Sequence, residues 1–153
     1  MYTNAKSVLL IDDDMDDMLL FQEALKRVDK TISLTYNSCC DEAMKLLNTA
    51  ASLPECIFMD INMPKMTGLE CLAVMRKSAL LMHIPIVIYT TSRRASDVSS
   101  AKNLGASCFF TKPIHFNTLI EILGFILRGI PLKKTDRDML IEIFAPATNN
   151  PSR

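Results

Sequence analysis

The sequence predicts an α/β fold, a doubly wound parallel sheet with helices on both faces. Three observations carry that expectation. Short apolar runs at residues 7–11, 32–36, 56–59, 86–89 and 107–110 alternate with five segments of helical spacing. Such alternation builds a parallel sheet through right-handed crossovers. The run CIFM at 56–59 is apolar throughout and too short for a helix, as in a strand buried on both faces. Finally, the runs end in polar residues: Asp12-Asp13-Asp14, Asp60, Thr90-Thr91-Ser92 and Thr111-Lys112-Pro113.

The elements follow in order. SVLLI at 7–11 is the first strand, and Leu19, Leu20, Glu23, Ala24 and Val28 then keep a helical spacing. The aspartates of that first turn suit the positive end of the helix dipole. ISLTY at 32–36 alternates as a second strand, and Ser38-Cys-Cys-Asp41 reads as a capping box opening the second helix. After the third strand, Met63-Pro64 forces the chain out of regular structure. Thr67-Gly-Leu-Glu70 is a further capping box, opening a helix to about Ser78. Pro85 precedes the fourth strand. A polar-faced helix over 97–104 stops at Gly105, a residue suited to the left-handed position behind a helix end. A fifth strand follows, and a last core helix covers 117–128.

Composition bounds the function. A chain of 153 residues, 49% hydrophobic and 22% charged, is a one-domain globular chain. Lys plus Arg equals Asp plus Glu at 17 each, so nothing in the charge calls for nucleic acid or an anionic membrane. Five cysteines without a C-x-x-C pair argue against a disulfide framework or zinc site and for a reducing compartment. With no signal segment and no apolar run of spanning length, the expected location is cytoplasmic.

In open α/β sheets the chemistry lies outside the carboxyl ends of the strands. A strand order of 2-1-3-4-5 makes the first and third strands neighbours, and Asp12, Asp13 and Asp60 then converge. Carboxylates so close repel unless a cation or proton intervenes, and an oxygen-only cluster suits magnesium. Thr90 and Lys112 reach the same place from the other side, as an anion site beside a cation site. Asp60 taken by itself also fits an ordinary turn aspartate.

With these residues assembled, the chain resembles the CheY-like receiver domain of two-component response regulators, from about Lys6 to Arg128. VLLIDDD resembles the acidic pair, matched by Asp12 and Asp13. IFMDINMPKMTG resembles the phosphoacceptor loop, which implies Asp60 as nucleophile and the Asn62 backbone carbonyl as a further magnesium ligand; Pro64 and Gly68 match loop positions. IPIVIYTTS is similar to the switch-hydroxyl segment, matched by Thr90, and GASCFFTKPI to the lysine-proline motif, matched by Lys112 with a cis bond to Pro113. At the aromatic switch position stands Phe109, without a hydroxyl. Asn62 and Ser92 match positions that modulate autodephosphorylation. The resemblance implies a flavodoxin-like (βα)5 receiver over residues 1–130, and its closest subgroup is stand-alone receivers, some paired with phytochrome-type kinases. It also implies Mg2+ as cofactor, a histidine kinase or phosphotransfer protein as donor, and a downstream protein target. No enzyme activity beyond self-phosphorylation and autodephosphorylation is implied.

An aspartate-nucleophile phosphohydrolase needs a second acid two residues after the nucleophile, where this chain has Asn62. A constitutive binding module would not need the full acid, hydroxyl and lysine set. His83 and His115 read as surface or capping residues, and the ten methionines as core filler. Residues 131–153 are too few for a helix-turn-helix output domain, so direct DNA binding is not expected. In that tail Thr135-Asp-Arg-Asp138 signals a short extra helix, with Met139, Leu140, Ile143 and Phe144 at helical spacing. The fifth helix is apolar nearly all round, with Ile120, Phe125 and Leu127 beside its core stripe, and so must be covered. Either the tail folds back on it, or it pairs in a homodimer to which the tail contributes; the homodimer is the favoured expectation.

Overall fold

The computed structural model of the chain describes residues 4–132 and 140–144. Its elements are β1 (Ser7–Ile11), α1 (Met15–Val28), β2 (Ser33–Asn37), α2 (Cys40–Thr49), β3 (Cys56–Met59), α3 (Gly68–Lys77), β4 (Ile86–Thr90), α4 (Ala95–Asn103), β5 (Cys108–Thr111), α5 (Phe116–Arg128) and β6 (Ile141–Ile143). The sheet order is β2-β1-β3-β4-β5-β6, with the first five strands parallel and β6 antiparallel on the β5 edge. The doubly wound class and the order 2-1-3-4-5 are thus as expected.

Period-two alternation splits the core into two layers. Leu9, Ile11, Ile57, Met59, Ile86, Ile88 and Phe109 face α2, α3 and α4. Val8, Leu10, Phe58, Val87, Tyr89 and Phe110 face α1 and α5, around an edge-to-face pair of Phe21 and Phe58. β3 is buried at all four positions, as its unbroken apolar run requires. Asp29, at the end of α1, takes a 2.8 Å ion pair from Arg128 at the end of α5, which fastens the two helices of one layer.

Four local expectations are corrected. The capping box at α2 is not formed: the N-cap is Cys39 with no side-chain bond, and Ser38 donates to Glu42 instead. Lys112–Pro113 is trans, as are all described peptide bonds, in line with the small trans preference of X–Pro bonds. Cys40 and Cys71 are disulfide-bonded, with Cα atoms 5.9 Å apart, although the cysteine count argued against disulfides. The count misses them because their pairing is spatial: the start of α2 meets α3 across one layer. Lastly, residues 141–143 form a strand where a helix was expected, because the β5 edge offers unpaired backbone groups that a helix would leave bare. Thr111 N–H donates to Leu140 O and Phe144 N–H to Ser107 O. The start of that expected helix, residues 135–139, lies outside the described residues.

Candidate functional site

At the carboxyl ends of β1, β3 and β5 the ladder runs one residue beyond each strand and fixes the residues that follow. Asp12 N–H donates to Asn37 O, Asp60 N–H to Ile11 O, and Lys112 N–H to Thr90 O, at 2.8–3.1 Å. Backbone amides two residues on then orient two carboxylates: Asp14 N–H donates to Asp12 Oδ1 at 3.0 Å and Asn62 N–H to Asp60 Oδ1 at 3.3 Å. Gly68 is needed behind Asp60, because a Cβ there would lie 2.0 Å from Asp60 O and 2.9 Å from the Ile61 Cα. At α3 the threonine half of the expected capping box is seen, with Thr67 Oγ1 accepting from Glu70 N–H.

These strand ends frame a pocket of about 520 Å³ lined by Asp13, Asp60, Asn62, Thr91, Lys112 and the first turn of α1. Asp12, Asp13 and Asp60 bring carboxylate oxygens within 4.8 Å of one another, the single such group among the described residues. Asp12 and Asp60 are buried, whereas Asp13 is open to solvent. Lys112 Nζ contacts Asp17 at 2.6 Å, Asp12 at 2.7 Å and Asp60 at 3.2 Å, and stands 5.1 Å from the centroid of the Tyr89 ring. Burial pushes the Asp12 carboxyl up to about 6, with the Asp60 charge adding to it, against the pull of Lys112 and the Asp14 amide. Burial draws the Lys112 ammonium down, but its bonds to Asp12 and Asp17 win and raise it. The donor set fits a hard divalent cation: all oxygen, with at least one ligand facing water.

The expected residues are not all in the pocket. Thr90 is fully buried and its Oγ1 accepts from Ser92 N–H, so the hydroxyl lining the pocket is that of Thr91, to which the Asn62 amide donates at 3.5 Å. Ser92 Oγ turns to Asp97 at the start of α4. Phe109 is fully buried, in the layer against which Leu140 and Phe144 pack. Asp14 caps α1, accepting from the amides of Asp16 and Asp17. Sequence reasoning missed Asp17 and Tyr89. The sequence offers no specific signal for Asp17, which lies in the first turn of α1, where an acid also suits the helix dipole.

The family model for the response regulator receiver domain matches residues 8–124. The chain is 30% identical over 125 residues to the response regulator Rcp1 of Synechocystis sp., covering 77% of this chain and 84% of that protein. It is similar to the crystal structure of the phosphorylated cyanobacterial phytochrome response regulator RcpA, with a TM-score of 0.75, 30% identity, and 84% and 99% of the two chains covered. Against the Mn2+-bound form of Rcp1 the TM-score is 0.74, at 30% identity over 84% and 99% of the chains.

Proposed function

The chain belongs to the response regulator receiver domain family, and from that premise we propose that Asp60 accepts a phosphoryl group from a histidine kinase or phosphotransfer protein. The reaction is Mg2+-dependent, and the signal passes to a protein target by conformational change. Receiver proteins are in general signalling proteins and not enzymes. The observation that carries the reading is the meeting of Asp12, Asp13 and Asp60 with the Lys112 ammonium in one pocket at the strand ends.

A carboxylate attacks phosphorus poorly unless the line of attack is held and the equatorial oxygens are neutralised. Asp60, fixed by Gly68 behind it and by the Asn62 amide beside it, supplies the oxygen of the new O–P bond; the donor leaves with the electrons of the old one. Lys112 supplies charge to the phosphoryl oxygens. Asp12, Asp13, Asp60 and the Asn62 carbonyl would hold Mg2+, which when bound neutralises those oxygens further. The Thr90 hydroxyl, leaving Ser92 N–H, would donate to the phosphoryl group and draw the β4–α4 loop inward. Phe109 then repacks under the face of α4, β5 and α5. Asn62 and Ser92 set the lifetime of the phosphorylated state, Asn62 directly and Ser92 through the loop that carries Thr91.

Residues 1–130 form the receiver and 131–153 a tail. Equal numbers of acids and bases, 17 each, favour a protein target over DNA or an anionic membrane. Among the described residues no helix is long and apolar enough to cross a membrane. A cytoplasmic location suits a kinase donor; there Cys40 and Cys71, both buried, are shielded from reductants by α2 and α3. Covering of α5 by its own tail is the first reading of that face. A homodimer through α5 and the tail is the second, favoured by Ile130 and Ile143, which stay about half exposed.

The full chain incubated with Mg2+ and acetyl phosphate, or a cognate kinase, should gain one acid-stable, base-labile phosphoryl group. Asp60→Asn should abolish it, Asp13→Asn should weaken Mg2+ binding at least tenfold (~1.4 kcal/mol), and Asp14→Asn should change little, because asparagine also caps a helix. Phosphate-affinity electrophoresis reads the first and calorimetry the second. Labelling that persists in Asp60→Asn would remove the assignment.

A further inference from the structure

Lys112 has three N–H donors, and three carboxylates take them all. The two shortest contacts, 2.6 Å to Asp17 and 2.7 Å to Asp12, pull the ammonium toward β1 and α1, while the contact to Asp60 is the longest at 3.2 Å. A phosphoryl group arriving on Asp60 needs at least one of these donors. Asp12 is itself fully buried, and it belongs to the three-acid group. Asp17 does not belong to that group, and its side chain is 27% exposed, so water can replace the lysine there at low cost. Its backbone is nonetheless fixed, since the amides of Asp16 and Asp17 are both held by the Asp14 cap.

Resting on the phosphoacceptor reading, we infer that Asp17 is a positioning residue that competes with the phosphoryl group for Lys112. It keeps the lysine drawn off Asp60 until a strong anion replaces it, and so sets the threshold for occupying the site. The effect is contrary in sign to that of a supporting residue: removing Asp17 should make the pocket better at taking an anion.

The test uses the full chain with Mg2+, titrated with beryllofluoride as the phosphoryl mimic and followed through amide NMR shifts of Thr90 and Thr91. Asp17→Asn keeps the shape and removes the charge, and should tighten beryllofluoride binding roughly tenfold. Asp17→Glu can still reach the ammonium and should stay near the parent. Asp16→Asn removes an equal charge from the same turn without a Lys112 contact, and should change affinity less than about twofold. Unchanged or weaker binding in Asp17→Asn, or equal tightening in Asp16→Asn, overturns the inference while the phosphoacceptor reading stands. A parent chain that binds no beryllofluoride overturns both.

Discussion

At the scale of single residues, the pocket stores an electrostatic conflict that only occupancy relieves. Without a cation, Asp12, Asp17 and Asp60 share one ammonium beside the Asp13 carboxylate, and Asp12 is the most deeply buried of the four. Its carboxyl, pushed up to about 6 by burial, holds a proton that the unfolded chain has already given up at an ordinary value near 3.8. Between those values the native state binds more protons than the unfolded state, so stability contributed by this group falls as pH rises from about 4 to 6 and is flat above. Thermal melts in EDTA across that window should therefore decline with pH, and Asp12→Asn should remove the decline. Mg2+ should raise the melting temperature at pH 7 far more than at pH 4.5, because its ligands must be ionised to bind. A Mg2+ effect equal at both pH values would refute the shift. Asp12, Asp60 and Lys112 were legible in the sequence because a parallel strand points whatever follows it at the crevice. Asp17 was not, because a first-turn acid is equally explained by the helix dipole and its turn toward Lys112 is a tertiary fact.

At the scale of elements, β6 changes what β5 presents. A receiver ending at α5 would leave β5 as an open edge. Here Ser107, Thr111 and, by the alternation of antiparallel pairs, Phe109 bond to the tail, with Phe109 directly opposite Glu142. The aromatic proposed as a switch is thus clamped through its backbone by a strand from the chain's own tail. Glu142 is exposed, so Glu142→Pro removes its amide without removing core contacts. Hydrogen exchange at Phe109 and Thr111 should then speed up at least tenfold (~1.4 kcal/mol), with β1 to β3 unaffected and Glu142→Lys like the parent. Protection left intact in Glu142→Pro would mean that the strand pairing contributes nothing. The five parallel strands were readable because short apolar runs bounded by turn signals admit few other readings. β6 was not: Leu140, Ile143 and Phe144 satisfy a helical period as well, and the β5 edge that decides for a strand is remote in sequence. The Cys40–Cys71 bond was hidden for the same reason, since it joins residues 31 apart on two helices.

At the scale of the whole molecule, the tail decides whether the apolar last helix is an interface or an interior. Ile120 and Phe125, on the side of α5 away from its core stripe, are half-buried in the layer that also receives Leu132 and Ile141. Ile130 closes on Gly124, where an added Cβ would come within 3.3 Å of its Cδ1. What packs along α5 is α1 of the same chain, and of residues 140–144 only Ile141 joins that layer, while Leu140 and Phe144 pack on the opposite layer from the β5 edge. A chain ending at Lys133 keeps Leu132 but loses β6 and those three side chains. Partial burial of three large apolar groups is worth roughly 2–4 kcal/mol before the entropy of ordering the tail, which leaves a net loss of about 1–2 kcal/mol. The bared β5 edge is then a template for a second copy. The full chain should sediment as a monomer, whereas the shortened chain should melt several degrees lower and associate with rising concentration. A shortened chain that melts like its parent and stays monomeric would show that the tail covers nothing. A full-length dimer that truncation dissociates would hand the tail to the homodimer, because only a strand donated between copies loses the dimer when it is removed.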